Sequence, residues 1–281
     1  MLGQVRWLVA LALVGACGFE VPARPTDSGV DVPDAPPDTI VIKWAVDATS
    51  GKAVPANAVE WTEFLKAHGL ANIAAPSGLW LLQENAGLLV DSIGTVVLSP
   101  FGGPLYGQAV PGWSRQGVGT VDGSSSGFRT VGDGSMPDVA ISSMTMLALV
   151  ELPAPAPAAS RSVMILGSSS PAAYVHVDLE ATRRLSAATL AAQGTGTMDP
   201  GTAAAGIMVK HDVSASQQKV FTRKETFTKP FTTLGASRGL FIGGGSGPAP
   251  TGRWLYLTAW YGTKAQISDA DAAKLMTALG W

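Results

Sequence analysis

Trp254-Leu255-Tyr256-Leu257-Thr258-Ala259-Trp260-Tyr261 is the stretch on which the fold turns. It holds no charge, Gly or Pro, and it is dominated by the aromatic and aliphatic side chains that suit a pleated, buried surface. At the strand period of two, Trp254, Tyr256 and Trp260 share one face, while Leu255, Leu257 and Tyr261 share the other. A central strand of a sandwich gives one face to the core between two sheets, and either set would fill it. An exposed aromatic ladder would instead stack on the apolar side of sugar rings, so Trp254, Tyr256 and Trp260 are also candidate ligand-binding residues.

Upstream of this strand, back to Leu79, short apolar runs are broken by Gly, Ser or Pro every 8–12 residues, the pattern of an all-β domain. The spacing predicts strands at Trp80–Leu82, Thr95–Leu98, Gly117–Val121, Met144–Glu151, Ser162–Leu166, Tyr174–Leu179, Gly206–Lys210, Lys219–Thr222 and Gly239–Ile242. Composition agrees: charged residues are 14%, against about 25% in typical domains, with 33 Gly and 19 Pro for turns. Pro153–Pro157 reads as a protruding loop of one sandwich, because only a short interval separates the strands beside it.

Two helices flank the β region. Asn57 reads as an N-cap, Trp61, Phe64, Leu65 and His68 recur at helical spacing, and Gly69 is a stop. Before them, Ile40-Val41-Ile42-Lys43-Trp44 reads as a first strand. Ser268-Asp269-Ala270-Asp271 has the capping-box pattern and opens a helix to about Leu279, with Gly280 as its stop.

Leu79-Trp80-Leu81-Leu82-Gln83-Glu84-Asn85-Ala86-Gly87 and Asp91-Ser92-Ile93-Gly94 resemble the opening of laminin-G-like domains of the concanavalin A-like superfamily. Val209-Lys210-His211-Asp212 with Val220-Phe221-Thr222 resembles that family's central hairpin, although the Asn-Gly turn after the second strand is missing. Leu255–Tyr261 followed by Gln266–Asp271 resembles its last strand and closing helix. The resemblance implies an antiparallel jelly-roll sandwich, concanavalin A-like, that binds carbohydrate or protein, with a short helix before it and one at the C-terminus.

The N-terminus carries an address. Arg6 precedes the apolar run Trp7–Val14, and Gly15-Ala16 supplies small residues at a cleavage point. This run is too short for a membrane span, which needs roughly 20 apolar residues. Val14-Gly15-Ala16-Cys17 resembles the lipobox of bacterial lipoproteins, which implies cleavage before Cys17, acylation of its thiol and anchoring to a lipid bilayer of the cell envelope, in the outer membrane. Cys17 is the only cysteine, so the domain behind it contains no disulfide. Val21–Asp38, rich in Pro and Asp, reads as an extended, self-repelling tether. The resulting organisation is a signal peptide (1–16), a lipidated N-terminus with tether (17–38) and a laminin-G-like sandwich (39–281). The aspartates of the tether, Asp27, Asp31, Asp34 and Asp38, lack the spacing of a calcium loop.

For function, the near-neutral balance past the tether leaves no basic patch for phosphates, so nucleic acid is not an expected partner. Retaining glycosidases need two carboxylates about 5 Å apart, and no Glu-x-Asp-x-Glu or Glu-x-Asp-x-x-Glu occurs. Glu60 and Glu63 fall on the first helix. Asp178 and Glu180 read as a solvated turn beside Arg183 and Arg184. Gly123–Gly127 matches a nucleophile elbow in letters only, since no helix pattern follows it. His68, His176 and His211 show no metal-ligand spacing, and no cofactor is expected. Calcium remains open through loop oxygens of Asp91, Asp122 and Asp138, although turn chemistry explains each. Trp113, in Val110-Pro111-Gly112-Trp113-Ser114, is the aromatic expected on an exposed loop, with Arg115 beside it to add hydrogen bonds. The expectation is a non-enzymatic binding domain for polysaccharide or a surface protein. The alternatives are a glycosidase with atypical carboxylates and a purely structural surface protein.

Overall fold

A computed structural model describes residues 44–130, 143–167, 175–189, 192–193, 198–212, 214–230, 239–244, 248–265 and 267–281. The leader, Cys17, the tether, residues 40–43 and Asp138 lie outside the described residues. In chain order the strands are β1 (Gly78–Trp80), β2 (Leu98–Phe101), β3 (Leu105–Ala109), β4 (Gln116–Thr120), β5 (Gly127–Thr130), β6 (Ser143–Glu151), β7 (Arg161–Gly167) and β8 (Val175–Leu179). They continue with β9 (Leu185–Thr189), β10 (Ala192–Gln193), β11 (Ala205–Asp212), β12 (Gln217–Phe221), β13 (Thr226–Pro230), β14 (Gly239–Gly243) and β15 (Gly252–Tyr261). Helices α1 (Ala58–Ala67) and α2 (Asp269–Leu279) flank them.

The strands form an antiparallel jelly-roll-like sandwich. One sheet runs β13-β12-β11-β6-β15-β4-β3, with β1 also on β15, and the other runs β10-β9-β8-β7-β14-β5-β2. The long strand β15 is central. It pairs β6 along one edge, while β4 meets its first residues and β1 its last on the other. Gly117 makes this crossing possible, since a Cβ there would stand 2.1 Å from the Trp254 carbonyl oxygen.

Alternation along β6 shows how the layers separate. Met144, Met146, Ala148 and Val150 point between the sheets, while Leu147 and Leu149 point to the opposite face. That opposite face is not solvated. Helices α1 and α2 cover it and build a second core around Trp61, Phe64, Tyr256, Trp260, Leu275 and Trp281. The domain therefore has three layers: one sheet, a second sheet, and a helical cover on the latter.

Both helices follow their sequence signals. Asn57 accepts from the Val59 and Glu60 amides, and Trp61, Phe64 and Leu65 are buried. Ser268 caps α2 by accepting from Asp271, and Gly280 ends it in the left-handed region. Glu60, on the outer side of α1, takes the Ala45 and Ala56 amides on one oxygen and ties the leading segment to the helix. His68 lies against Phe64 with ring centroids 4.5 Å apart, at the edge of the second core.

Five strands escape the sequence pattern: β3, β5, β9, β10 and β13. Strand β13 (Thr-Phe-Thr-Lys-Pro) lies at a sheet edge with no fully buried side chain, and β9 (Leu-Ser-Ala-Ala-Thr) has small residues after its one large aliphatic, Leu185. Neither carries the aliphatic alternation that marks a strand in sequence. The last strand also departs from its expected register. A bulge between Trp254 and Tyr256, set against β6, adds a residue at Leu255. Trp254 then faces the inter-sheet core with Leu257 and Ala259, while Leu255, Tyr256 and Trp260 face the helices. The expected single face of Trp254, Tyr256 and Trp260 is thus split.

Candidate functional site

The expected aromatic ladder is not a surface. Trp254, Tyr256 and Trp260 are each at most 1% exposed. The Trp260 indole donates to the Ala74 carbonyl, and the Trp61 indole donates to the Tyr256 hydroxyl. Tyr256 in turn donates to the Pro55 carbonyl at 2.5 Å, and burial pushes its phenol far above the ordinary range. As an exposed ligand platform this triplet is corrected by the helical cover, which the strand's periodicity does not reveal; it is core on both sides of the sheet.

Trp113 and Arg115 are brought to one corner. Trp113 lies half-buried on the β3–β4 loop against the second core, with the Lys52 ammonium 5.5 Å from its ring centroid. Such a cation–π pair contributes about 0.5–1 kcal/mol at an exposed site. Beside it opens a pocket of about 200 Å³ lined by Ala45, Asp47, Val54, Leu81, Ser114 and Arg115, among others. Arg115 is 9% exposed, stacks 5.6 Å over the Tyr256 ring and donates through Nη2 to the Leu81 carbonyl at 3.1 Å. Its Nε is buried with no acceptor. A buried donor without a partner costs about 1–3 kcal/mol. This arginine is therefore held in place at a cost to stability.

Asp47 organises the wall around it, a role that the sequence reading missed. Its Oδ1 accepts the Thr49 and Ser50 amides, and Oδ2 accepts the Ser114 hydroxyl at 2.7 Å, with the Ser114 amide reaching both oxygens. The sequence signal was Asp47-Ala-Thr-Ser-Gly51, an Asx-turn pattern closed by a glycine in the left-handed region. Burial alone would raise the pKa of Asp47, but the bonds from Ser50 and Ser114 outweigh it and hold the carboxyl well below the usual carboxylate range. A carboxyl depressed by folding adds stability above its unfolded pKa, and that contribution is lost as pH falls toward the folded value. Asp47→Asn is accordingly expected to flatten the loss of stability below about pH 4, read by urea midpoints across an acid series. An unchanged acid limb would show that these bonds carry no charge.

A second concave region lies where β11 and β12 meet the start of α2. Two adjoining pockets of about 360 and 260 Å³ share Lys210, Asp212 and Ser268. Its charges are mutually engaged: Asp269 takes both Lys210 and Lys219, and Asp212 accepts from Ser214 and Ala215. The region is wider than the Arg115 pocket, but its lysines already have a counterion.

The remaining candidates resolve as structure. Asp91 uses one oxygen for the amides of Leu79, Ile93 and Gly94, so it builds the turn that the sequence marked. Asp122 pairs with Arg161. Ser124 and Ser126 hydrogen-bond each other before β5, with no helix after them. Glu63 pairs with Lys66 on α1. Asp178 corrects its expectation: it is 7% exposed on β8, not in a solvated turn, because Ser162, Ser186 and His176 are buried around it. Burial pushes the Asp178 carboxyl up and the His176 imidazole down. Ser162 lies 3.0 Å and Asp178 3.7 Å from the same His176 nitrogen, Nδ1. A nucleophile–base–orienter relay uses opposite ring nitrogens, so this geometry is not one. Among the described residues, no three His, Cys, Asp or Glu side chains gather as a metal site.

No protein-family model matches this chain, and no curated protein does. Solved structures resemble its fold. A Trypanosoma rangeli sialidase in complex with 2,3-difluorosialic acid aligns with a TM-score of 0.55 at 14% identity, over 73% of this chain and 33% of that one. A T. rangeli sialidase mutant displaying trans-sialidase activity aligns with a TM-score of 0.54 at 13% identity, over 77% and 37%. A botulinum neurotoxin type C, whose cell entry is dependent on interaction with two ganglioside molecules, aligns with a TM-score of 0.52 at 11% identity, over 75% and 53%. The chain spans about a third of the length of the sialidases. Likeness at such identity shows the sandwich fold and nothing finer.

Proposed function

We propose that this chain is a lipid-anchored envelope protein whose sandwich binds a saccharide without transforming it, at the Trp113–Arg115 corner. The observation that carries the reading is the corner itself. A half-buried tryptophan on a loop stands next to Ser114 in the wall of a pocket whose buried arginine makes no ion pair with a carboxylate among the described residues. Apolar walls, here from Ala45, Val54 and Leu81, with a few convergent polar groups such as Arg115 and Ser114 are usual in small-ligand sites. Among the fold neighbours, a sialidase is in complex with a sialic acid derivative and a botulinum neurotoxin depends on gangliosides for cell entry, which supports a saccharide over a peptide as the first ligand class to test. Cys17 would hold the module on the envelope through the acidic tether.

The test is a glycan array probed with the full chain. Saturable binding to at least one saccharide class is expected, reduced at least tenfold by Trp113→Ala with the urea midpoint little changed. Absence of saturable binding across the array overturns the reading in favour of a protein ligand or a structural role. An affinity indifferent to Trp113→Ala moves the site elsewhere on the sandwich.

A further inference from the structure

The saccharide reading leaves open what Arg115 is for, and its surroundings narrow the answer. The guanidinium fork carries five N–H bonds, and a single one reaches a protein acceptor, the Leu81 carbonyl. Among the described residues no carboxylate pairs with it, and Nε is shut away from water without a partner. A buried arginine stays charged, and buried charges are ordinarily paired.

The one carboxylate in the same wall is already engaged elsewhere. Asp47 turns its oxygens to the Thr49, Ser50 and Ser114 amides and the Ser114 hydroxyl. The Tyr256 ring supports the guanidinium from beneath, and that phenol is itself fixed between Trp61 and Pro55. Arg115 thus feels the Asp47 charge only at a distance, and its fork makes no ion pair with a carboxylate of the described residues. Lys52, on the Trp113 ring, adds a second cation at the same corner.

We infer, resting on the saccharide reading above, that this corner selects a carboxylate-bearing sugar. The carboxylate of a uronic or sialic acid residue meets the Arg115 fork, and the sugar ring lies beside Trp113. The fork's planar geometry matches a carboxylate bidentately. At about 200 Å³, the pocket is smaller than the roughly 300–1,000 Å³ of a site for a drug-sized ligand. It has room for one charged substituent, with the rest of the chain lying outside across the tryptophan.

The experiment compares acids with their carboxyl-reduced counterparts on the unmodified full chain. Oligogalacturonate and sialyllactose are titrated, each beside the form in which its carboxylate is converted to a hydroxymethyl group, at about physiological salt. At least one acid is expected to bind, and its reduced form to bind at least tenfold more weakly. Which acid binds separates a uronate from a sialate. Arg115→Gln should bring acid and reduced forms to the same affinity, and the reduction arm needs no variant should Arg115→Gln fail to fold. Equal affinity for acid and reduced forms, both lost in Trp113→Ala, overturns the carboxylate inference and leaves the saccharide reading standing. A sulfated glycan binding as tightly as the acid overturns carboxylate selectivity. No binding to any of these or to neutral glycans overturns both.

Discussion

Replacing Trp260 by alanine is expected to cost about 3–5 kcal/mol of folding stability, the range for removing a fully buried tryptophan. The side chain is fully buried, and its ring meets Trp61 edge to face at 5.5 Å and 83°. Its indole N–H satisfies the Ala74 carbonyl, which the substitution would leave without its donor. The loss does not stop at one residue, since Trp61 also holds the Tyr256 hydroxyl, and Tyr256 supports Arg115. Domains of ordinary stability have about 5–15 kcal/mol in all, so this one change takes a large share. Urea unfolding should show a lower midpoint with little change in slope. A midpoint within error of the unmodified protein would mean that the face of β15 beneath the helices is solvated, and the three-layer account would fail.

Asp91→Ala is expected to cost about 2–4 kcal/mol, because three backbone donors lose their only side-chain acceptor and each buried one forfeits about 1–3 kcal/mol. All three, from Leu79, Ile93 and Gly94, converge on Oδ1. Asp91→Asn keeps that oxygen and should therefore lie within about 1 kcal/mol of the unmodified protein. The pair separates hydrogen bonding from charge. Equal losses in both variants would assign Asp91 an electrostatic role, such as cation binding, in place of turn building. Gly94 must stay small for the same turn, since a Cβ there would stand 2.6 Å from Asp91 Oδ2.

Much of the fold was legible wherever a local rule had one physical solution. Asn57, Gly69, Ser268 and Gly280 bound the helices because caps satisfy specific backbone groups. Strands with aliphatic alternation, such as β6 and β11, stood out for the same reason. Edge strands did not: β13 puts only Phe227, half-buried, against the core, and β3 begins with an exposed Leu105. The bulge at Leu255 was not legible, because it is set by pairing with β6 across more than a hundred residues. That single insertion separates Trp254 from Tyr256 and Trp260, which period two had joined.

The candidate site was legible in part. Trp113 and Arg115 are neighbours in sequence, so their shared corner follows from one loop. The pocket beside them does not, because its opposite wall comes from Asp47, Val54 and Leu81, which only the tertiary fold assembles. Arg115 reads in sequence as a surface cation; its burial follows from Tyr256, which lies far along the chain. The lysines that share Asp269 were likewise beyond local pattern.

Hydrogen–deuterium exchange of the full chain, alone and with saturating oligogalacturonate, sialyllactose or a neutral cello-oligosaccharide, shows where a saccharide lands. Binding at the Trp113–Arg115 corner predicts that whichever saccharide binds slows exchange in residues 45–56 and 110–116 and leaves residues 205–222 and 267–271 unchanged. Protection confined to the lysine groove at 205–222, or none with any of the three saccharides, would contradict it.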